Sequence, residues 1–119
     1  MIVLDENLSH RPYVRDVIVK WYAGKVVIIT DLRLGSRILD DAIPMLLRQQ
    51  KQPTFVTTNV TEFWRRVPAN SRYCIICLPL PNERQEEISA LLRCLFRLPD
   101  FKTKSARMIK GKIQTKSVS

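Results

Sequence analysis

"MIVLDENLSHRPYVRDVIVKWYAGKVVIITD", residues 1–31, reads as strand, helix, strand, and that order decides the fold class. Residues 1–4, MIVL, form a short and wholly apolar run, as in a strand covered on both faces. Val14, Val17, Ile18 and Trp21 follow at i, i+3, i+4 and i+7, which is one face of a helix. Ser9 stands where a cap is needed, and Pro12 is tolerated in the first turn. Gly24 ends the helix. Residues 25–31, KVVIITD, then make a second apolar, β-branched strand that closes on Asp31.

The same alternation continues. Residues 32–39 read as a loop, and a helix opens at Asp40 and runs to about Gln50, with Ile43, Leu46 and Leu47 inward. Pro44 lies in its first turns. QPTFVTTN, residues 52–59, is a third strand ending at Asn59. TEFWRRV, residues 61–67, is a short helix with Phe63, Trp64 and Val67 inward. YCIICLPL, residues 73–80, is a fourth strand. A helix follows over residues 81–98, capped by Asn82 with Gln85 at the capping-box position, and striped by Ile88, Leu91, Leu92 and Leu95. Residues 106–116 alternate weakly and read as an edge strand, with a frayed end after Thr115. Strands alternating with helices predict an α/β fold: a mainly parallel sheet of four to five strands with helices on both faces.

The 119 residues fit one domain without repeats or linkers. No apolar run approaches the ~20 residues that span a bilayer. Acidic residues appear within the first five to six positions, so no signal peptide is expected and a cytoplasmic location is. Twenty Lys and Arg stand against eleven Asp and Glu, a net charge of +9. Six of those cations (Lys102, Lys104, Arg107, Lys110, Lys112 and Lys116) follow Phe101 with no acid among them, which leaves +3 on the rest. A basic flank on a nearly balanced body suits a polyanion partner, or serves as a solubilising tail. Cys74 and Cys77 have C-x-x-C spacing. On a strand, however, residues three apart face opposite sides and cannot share one ion. Buried structural thiols are the expectation.

Ligands of parallel sheets bind beyond the carboxyl ends of the strands. Asp5, Glu6 and Asn7 follow the first strand, Asp31 the second, and Thr57, Thr58 and Asn59 the third, with Glu62 one turn on. Asp40 and Asp41 open a helix whose start belongs at the same edge. Carboxylates without histidine or cysteine favour a hard cation, Mg²⁺ or Mn²⁺. An acidic pocket in a basic surface suits a metal-dependent nuclease, in which the cation activates water and stabilises the leaving oxygen. A single histidine, His10, argues against a metal-free histidine pair. Arg11, Arg15, Arg33 and Arg37 lie near this rim and are candidates to grip phosphate, as are Arg65 and Arg66.

IVLDENL (residues 2–8), DDAIPMLL (40–47) and FVTTNVTEF (55–63) together resemble the compact PIN-like nuclease family, the minimal branch found as toxins beside small antitoxin genes. The resemblance covers the chain to about Leu95. It implies a three-layer α/β/α sandwich and cleavage of RNA with Mg²⁺ or Mn²⁺. Asp5 then matches the first carboxylate, a direct metal ligand, accompanied by Glu6 and Asn7. Asp40 matches the second acid, with Asp41 as the other candidate. Asn59 stands where the family has aspartate, and Glu62 is the residue to compensate. Thr57, Asn7, Arg11 and Arg37 are the candidate substrate contacts. The implied partners are RNA, an acidic antitoxin and a second copy of the chain, with no membrane.

Each residue also has a plainer reading. Asp40 and Asn59 are good helix caps, Asp5-Glu6-Asn7 makes a turn, and Asp31 ends a strand. Loss of the aspartate at Asn59 keeps a second function open, a PIN-like domain that binds RNA or protein without cleavage. A phosphoryl-accepting receiver-like domain needs an Asp after the third strand and a Lys after a later one. Asn59 and LPLP stand there instead.

Overall fold

A computed structural model of the chain describes residues 1–8, 12–32, 43–58, 72–80, 86–99, 101, 103 and 112–114. Five strands are described: β1 (Ile2–Leu4), β2 (Val26–Ile28), β3 (Thr54–Thr57), β4 (Cys74–Cys77) and β5 (Lys112–Gln114). They form one sheet in the order β2-β1-β3-β4-β5, with every neighbouring pair parallel. Three helices are described: α1 (Pro12–Ile18), α2 (Ile43–Arg48) and α3 (Ile88–Arg97). The α/β class and the parallel sheet are as the sequence predicts. The expected edge strand is β5, three residues long.

Alternation along the buried strands feeds two apolar clusters. Ile2, Leu4, Val56, Cys74 and Ile76 point to one face, where Val14 and Ile18 of α1 and Ile88 and Leu92 of α3 meet them. Val3, Phe55 and Ile75 point to the other, against Ile43, Leu46 and Leu47 of α2. A period of two in the strands is what splits one apolar run between two cores. Because the β1–β2 and β2–β3 connections travel in opposite directions across the sheet, placing α1 and α2 on opposite faces gives both crossovers the same hand.

Several boundaries differ from expectation. Helix α1 stops at Ile18, short of Trp21. Beyond it the bonds tighten: the Lys20 N–H donates to the Val17 carbonyl and the Trp21 N–H to that of Ile18, both three residues back. Three consecutive β-branched residues (Val17, Ile18 and Val19) oppose further helix. Val17, expected on the inner face, is 40% exposed, because Val14 and Ile18 define the stripe's centre and Val17 lies on its shoulder. Strand β2 ends at Ile28, and residues 29–32 turn as a 3-10 helix. Asp31 Oδ2 accepts the Ile28 N–H at 3.0 Å and so satisfies a donor on the outer side of an edge strand. Strand β4 ends at Cys77, since the Leu80 N–H turns back to the Leu78 carbonyl across Pro79. Helix α3 begins at Ile88, after Glu87, which makes no side-chain cap bond. The expected caps Asn82 and Gln85 lie outside the described residues, as does the short helix expected at 61–67. At the other end Leu98 is extended (ψ 142°), as a residue before proline prefers, and Pro99 closes the helix.

No helix among the described residues is long and apolar enough to cross a membrane. The three cysteines form no disulfide. Cys74 and Cys77 are buried, and Cys94 is exposed.

Candidate functional site

All five strands run parallel, so their carboxyl ends share one edge. The chain leaves β1 toward β2, whereas β3 leads on toward β4 on its other side. The order reverses between β1 and β3, and such a reversal opens a crevice beyond the strand ends. Asp5 and Thr57 stand at that crevice. The ladder pairs Leu4 with Val56, and the Asp5 N–H continues it by donating to the Val56 carbonyl at 2.9 Å. One residue on, the Thr57 hydroxyl donates to Asp5 Oδ2 at 2.6 Å. The bond is short because the acceptor is a carboxylate. Asp5 Oδ1 accepts the Glu6 N–H at 2.7 Å. Two donors from different segments therefore fix the plane of this carboxylate.

Local sequence explains how Asp5 comes to lie there. Leu8 is fully buried, so the chain after β1 must turn back at once. Residues 6–8 do so as a single 3-10 turn, with the Leu8 N–H bonded to the Asp5 carbonyl. Asp5 is thus both the turn's first residue and a half-buried carboxylate at the sheet's edge. Glu6 follows it, also half-buried. The backbone of Asn7 lies within the turn.

Cys77, read from the sequence as a buried structural thiol, belongs to the same row. It pairs in register with Thr57 across β3 and β4. Period-two alternation carries the α2-facing set of Val3, Phe55 and Ile75 on to Asp5, Thr57 and Cys77. Burial pushes the Cys77 thiol up to about 11, and the Asp5 carboxylate adds to the shift. The thiol is therefore neutral at physiological pH and is a closed wall of the site. Its place at the strand end was hidden because the sequence reading carried that strand on to Leu80.

A raised thiol pKa has a thermodynamic consequence. Native Cys77 keeps its proton between about 9 and 11, where the unfolded thiol has lost it. The native state then binds more protons, so stability falls as pH rises through that window. Burial raises the Tyr73 hydroxyl too, which acts in the same direction. Denaturation titrated with urea at pH 8, 9.5 and 11 (alkaline points chosen around the window) should show this decline, and Cys77→Ala should make it shallower. Under native conditions iodoacetamide should label Cys94 and spare Cys74 and Cys77, as peptide mass mapping would read out.

Asp31 has partners of its own at the edge strand. Its Oδ2 is held by the Ile28 N–H, and Arg15 lies 3.8 Å away, with both side chains near half exposure. The strand-ending role explains it. Arg15, a candidate phosphate grip, is the partner in that surface pair, which is worth about 0–1 kcal/mol and weakens with salt. Asp40, Asp41, Asn59, Glu62, Arg11, Arg33, Arg37, Arg65 and Arg66 lie outside the described residues, as does His10. Among the described residues, no group of three or more His, Cys, Asp or Glu is arranged to hold a metal ion. Compared with known proteins, the chain matches no family model, no curated protein and no solved structure.

Proposed function

We propose that the carboxyl edge of the sheet is the active site of a divalent-metal-dependent endoribonuclease of the PIN-like type. One observation carries the reading: at the reversal of strand order, a carboxylate is oriented by a hydroxyl from the neighbouring strand, Thr57 to Asp5 at 2.6 Å. A side chain that only made a turn would need the Glu6 N–H and not the bond across strands. Acids close by in sequence would complete the set. Glu6 is adjacent, and Asp40 and Asp41 precede the first residue of α2, a helix that must start at this edge to return the chain to β3.

The donor chemistry fits Mg²⁺ or Mn²⁺. Such ions take oxygen ligands, retain waters, and are commonly held by one or two carboxylates together with substrate phosphate oxygens. A full protein cage is therefore not required. Asp5 would hold the ion with Glu6 and Asp40, and Thr57 would keep Asp5 in the ligating orientation. The ion supplies an activated water and charge stabilisation of the leaving oxygen. Asp41, Asn59 and Glu62 would complete the acidic edge. Asn7, Arg11 and Arg37 would position the RNA backbone, and the basic segment after Phe101 would raise local RNA concentration. The resemblance further implies a toxin paired with an antitoxin in the cytoplasm, with a second copy of the chain as a candidate partner.

A second reading rests on Asn59, an amide where the resemblance expects a carboxylate. It carries no charge and lowers cation affinity, leaving a domain that binds RNA without cutting it. One assay separates the two. Single-stranded RNA incubated with the protein and Mn²⁺ should be cleaved, and chelation with EDTA should stop it. Binding without cleavage would support the second reading, and cleavage indifferent to EDTA would overturn the first.

A further inference from the structure

The other end of the sheet carries a different surface. Beyond α1 the chain forms, with α3, a groove of about 710 Å³. It is lined by Trp21, Tyr22 and Phe96, with Lys20, Arg93 and Arg97 at its margins. A second hollow of about 300 Å³ shares Val17, Trp21, Arg93 and Arg97 with the first, so the two run together between α1 and α3. Among the described residues, none that lines either hollow is acidic. All three cations are exposed, and Val17 presents an apolar side chain beside them.

The floor is rigid. Trp21 and Phe96 meet edge to face at 5.8 Å, Tyr22 and Phe96 at 6.0 Å, and Trp21 and Tyr22 at 6.1 Å. The Trp21 indole N–H donates to Ser89 Oγ at 2.9 Å, fixing the ring to α3. A Cβ at Gly24 would lie 2.7 Å from the Tyr22 ring, so any other residue there must displace that ring. Tyr22 Oη accepts the Met1 amino group at 3.0 Å, which places this cluster at the start of β1, the opposite end from Asp5.

We propose that this groove binds an acidic peptide segment of a protein partner, seating apolar side chains on the aromatic floor and carboxylates against Lys20, Arg93 and Arg97. Charge complementarity selects the occupant. Rings packed edge to face give a compact apolar floor and fewer open plates for stacking bases, which favours a peptide over single-stranded RNA. The Asp5-Glu6 edge would repel the same peptide, so an acidic partner docks at this end. The inference stands independently of the nuclease reading.

The test uses a fluorescein-labelled synthetic peptide of Glu, Leu and Phe in helical register, followed by anisotropy with the full chain. Controls are the same peptide with Lys for Glu, and labelled oligouridylate. The acidic peptide should bind, and the double variant Arg93→Glu with Arg97→Glu should weaken it by about tenfold or more. Both positions are exposed, and circular dichroism would confirm the fold. Failure of the acidic peptide to bind would overturn the proposal. So would unchanged affinity in the double variant, equal binding of the Lys peptide, or a loss confined to oligouridylate.

Discussion

Replacing Asp5 with asparagine is expected to abolish the proposed Mn²⁺-dependent RNA cleavage, lowering its rate by about 100-fold or more. Asparagine keeps the size of the side chain and one carbonyl oxygen, which can still accept the Glu6 N–H, while the Thr57 hydroxyl can rotate to accept from the new amide. What disappears is the negative charge, which a hard cation requires most. Stability should fall by only about 1 kcal/mol, the net scale of one hydrogen bond. Thr57 gives the sharper test, because its hydroxyl acts through Asp5 and does not ligate. Thr57→Val should cost about 10–100-fold in activity, as removing an orienting partner of a ligand does. Thr57→Ser should restore most of it. Measuring cleavage against Mn²⁺ concentration separates the roles, since a loosened Asp5 raises the Mn²⁺ needed for half-maximal rate. A wild-type rate in folded Asp5→Asn would remove the acidic edge from the chemistry.

The apolar runs were legible because burial leaves little freedom. IVL, TFVT and CIIC are fully buried strands and read as such in one dimension. Their ends were harder to read, since a side chain decided each one. Asp31 folds back onto Ile28 and stops β2, and Pro79 turns the chain after β4. Neither event changes hydrophobic periodicity. The candidate site was legible to the extent that strand ends of a parallel sheet must share an edge, which brought Asp5 and Thr57 into one group. That Thr57 bonds to Asp5 was not legible. Register is a tertiary property, and Thr57 and Thr58 are alike in sequence, with opposite faces on the strand. The groove between α1 and α3 was hidden for a similar reason. Trp21 reads as a core residue on a helical stripe, and only the early end of α1 leaves it half-buried beside Arg93 and Arg97.

Phe55→Ala should be strongly destabilising, costing about 3–5 kcal/mol. Phe55 has no exposed surface and sits in β3, with β1 and β4 on either side. It belongs to the cluster that α2 covers through Ile43, Leu46 and Leu47, so truncation leaves a cavity between sheet and helix that a short α2 fills poorly. A domain of this size is stable by about 5–15 kcal/mol, so the loss is a large fraction of the whole. The urea midpoint should drop accordingly, and the melting temperature by about 10 °C or more. Phe55→Leu, which retains most of the volume, should cost less than half as much. Thr57 lies two residues beyond Phe55 on the same face, so Phe55→Ala should lower activity only in proportion to the fraction unfolded, with the Mn²⁺ dependence of the folded remainder unchanged. A loss of stability below about 1 kcal/mol, within the range of surface substitutions, would mean that α2 does not pack on β3. The start of α2 at the carboxyl edge of the sheet would then lose its support.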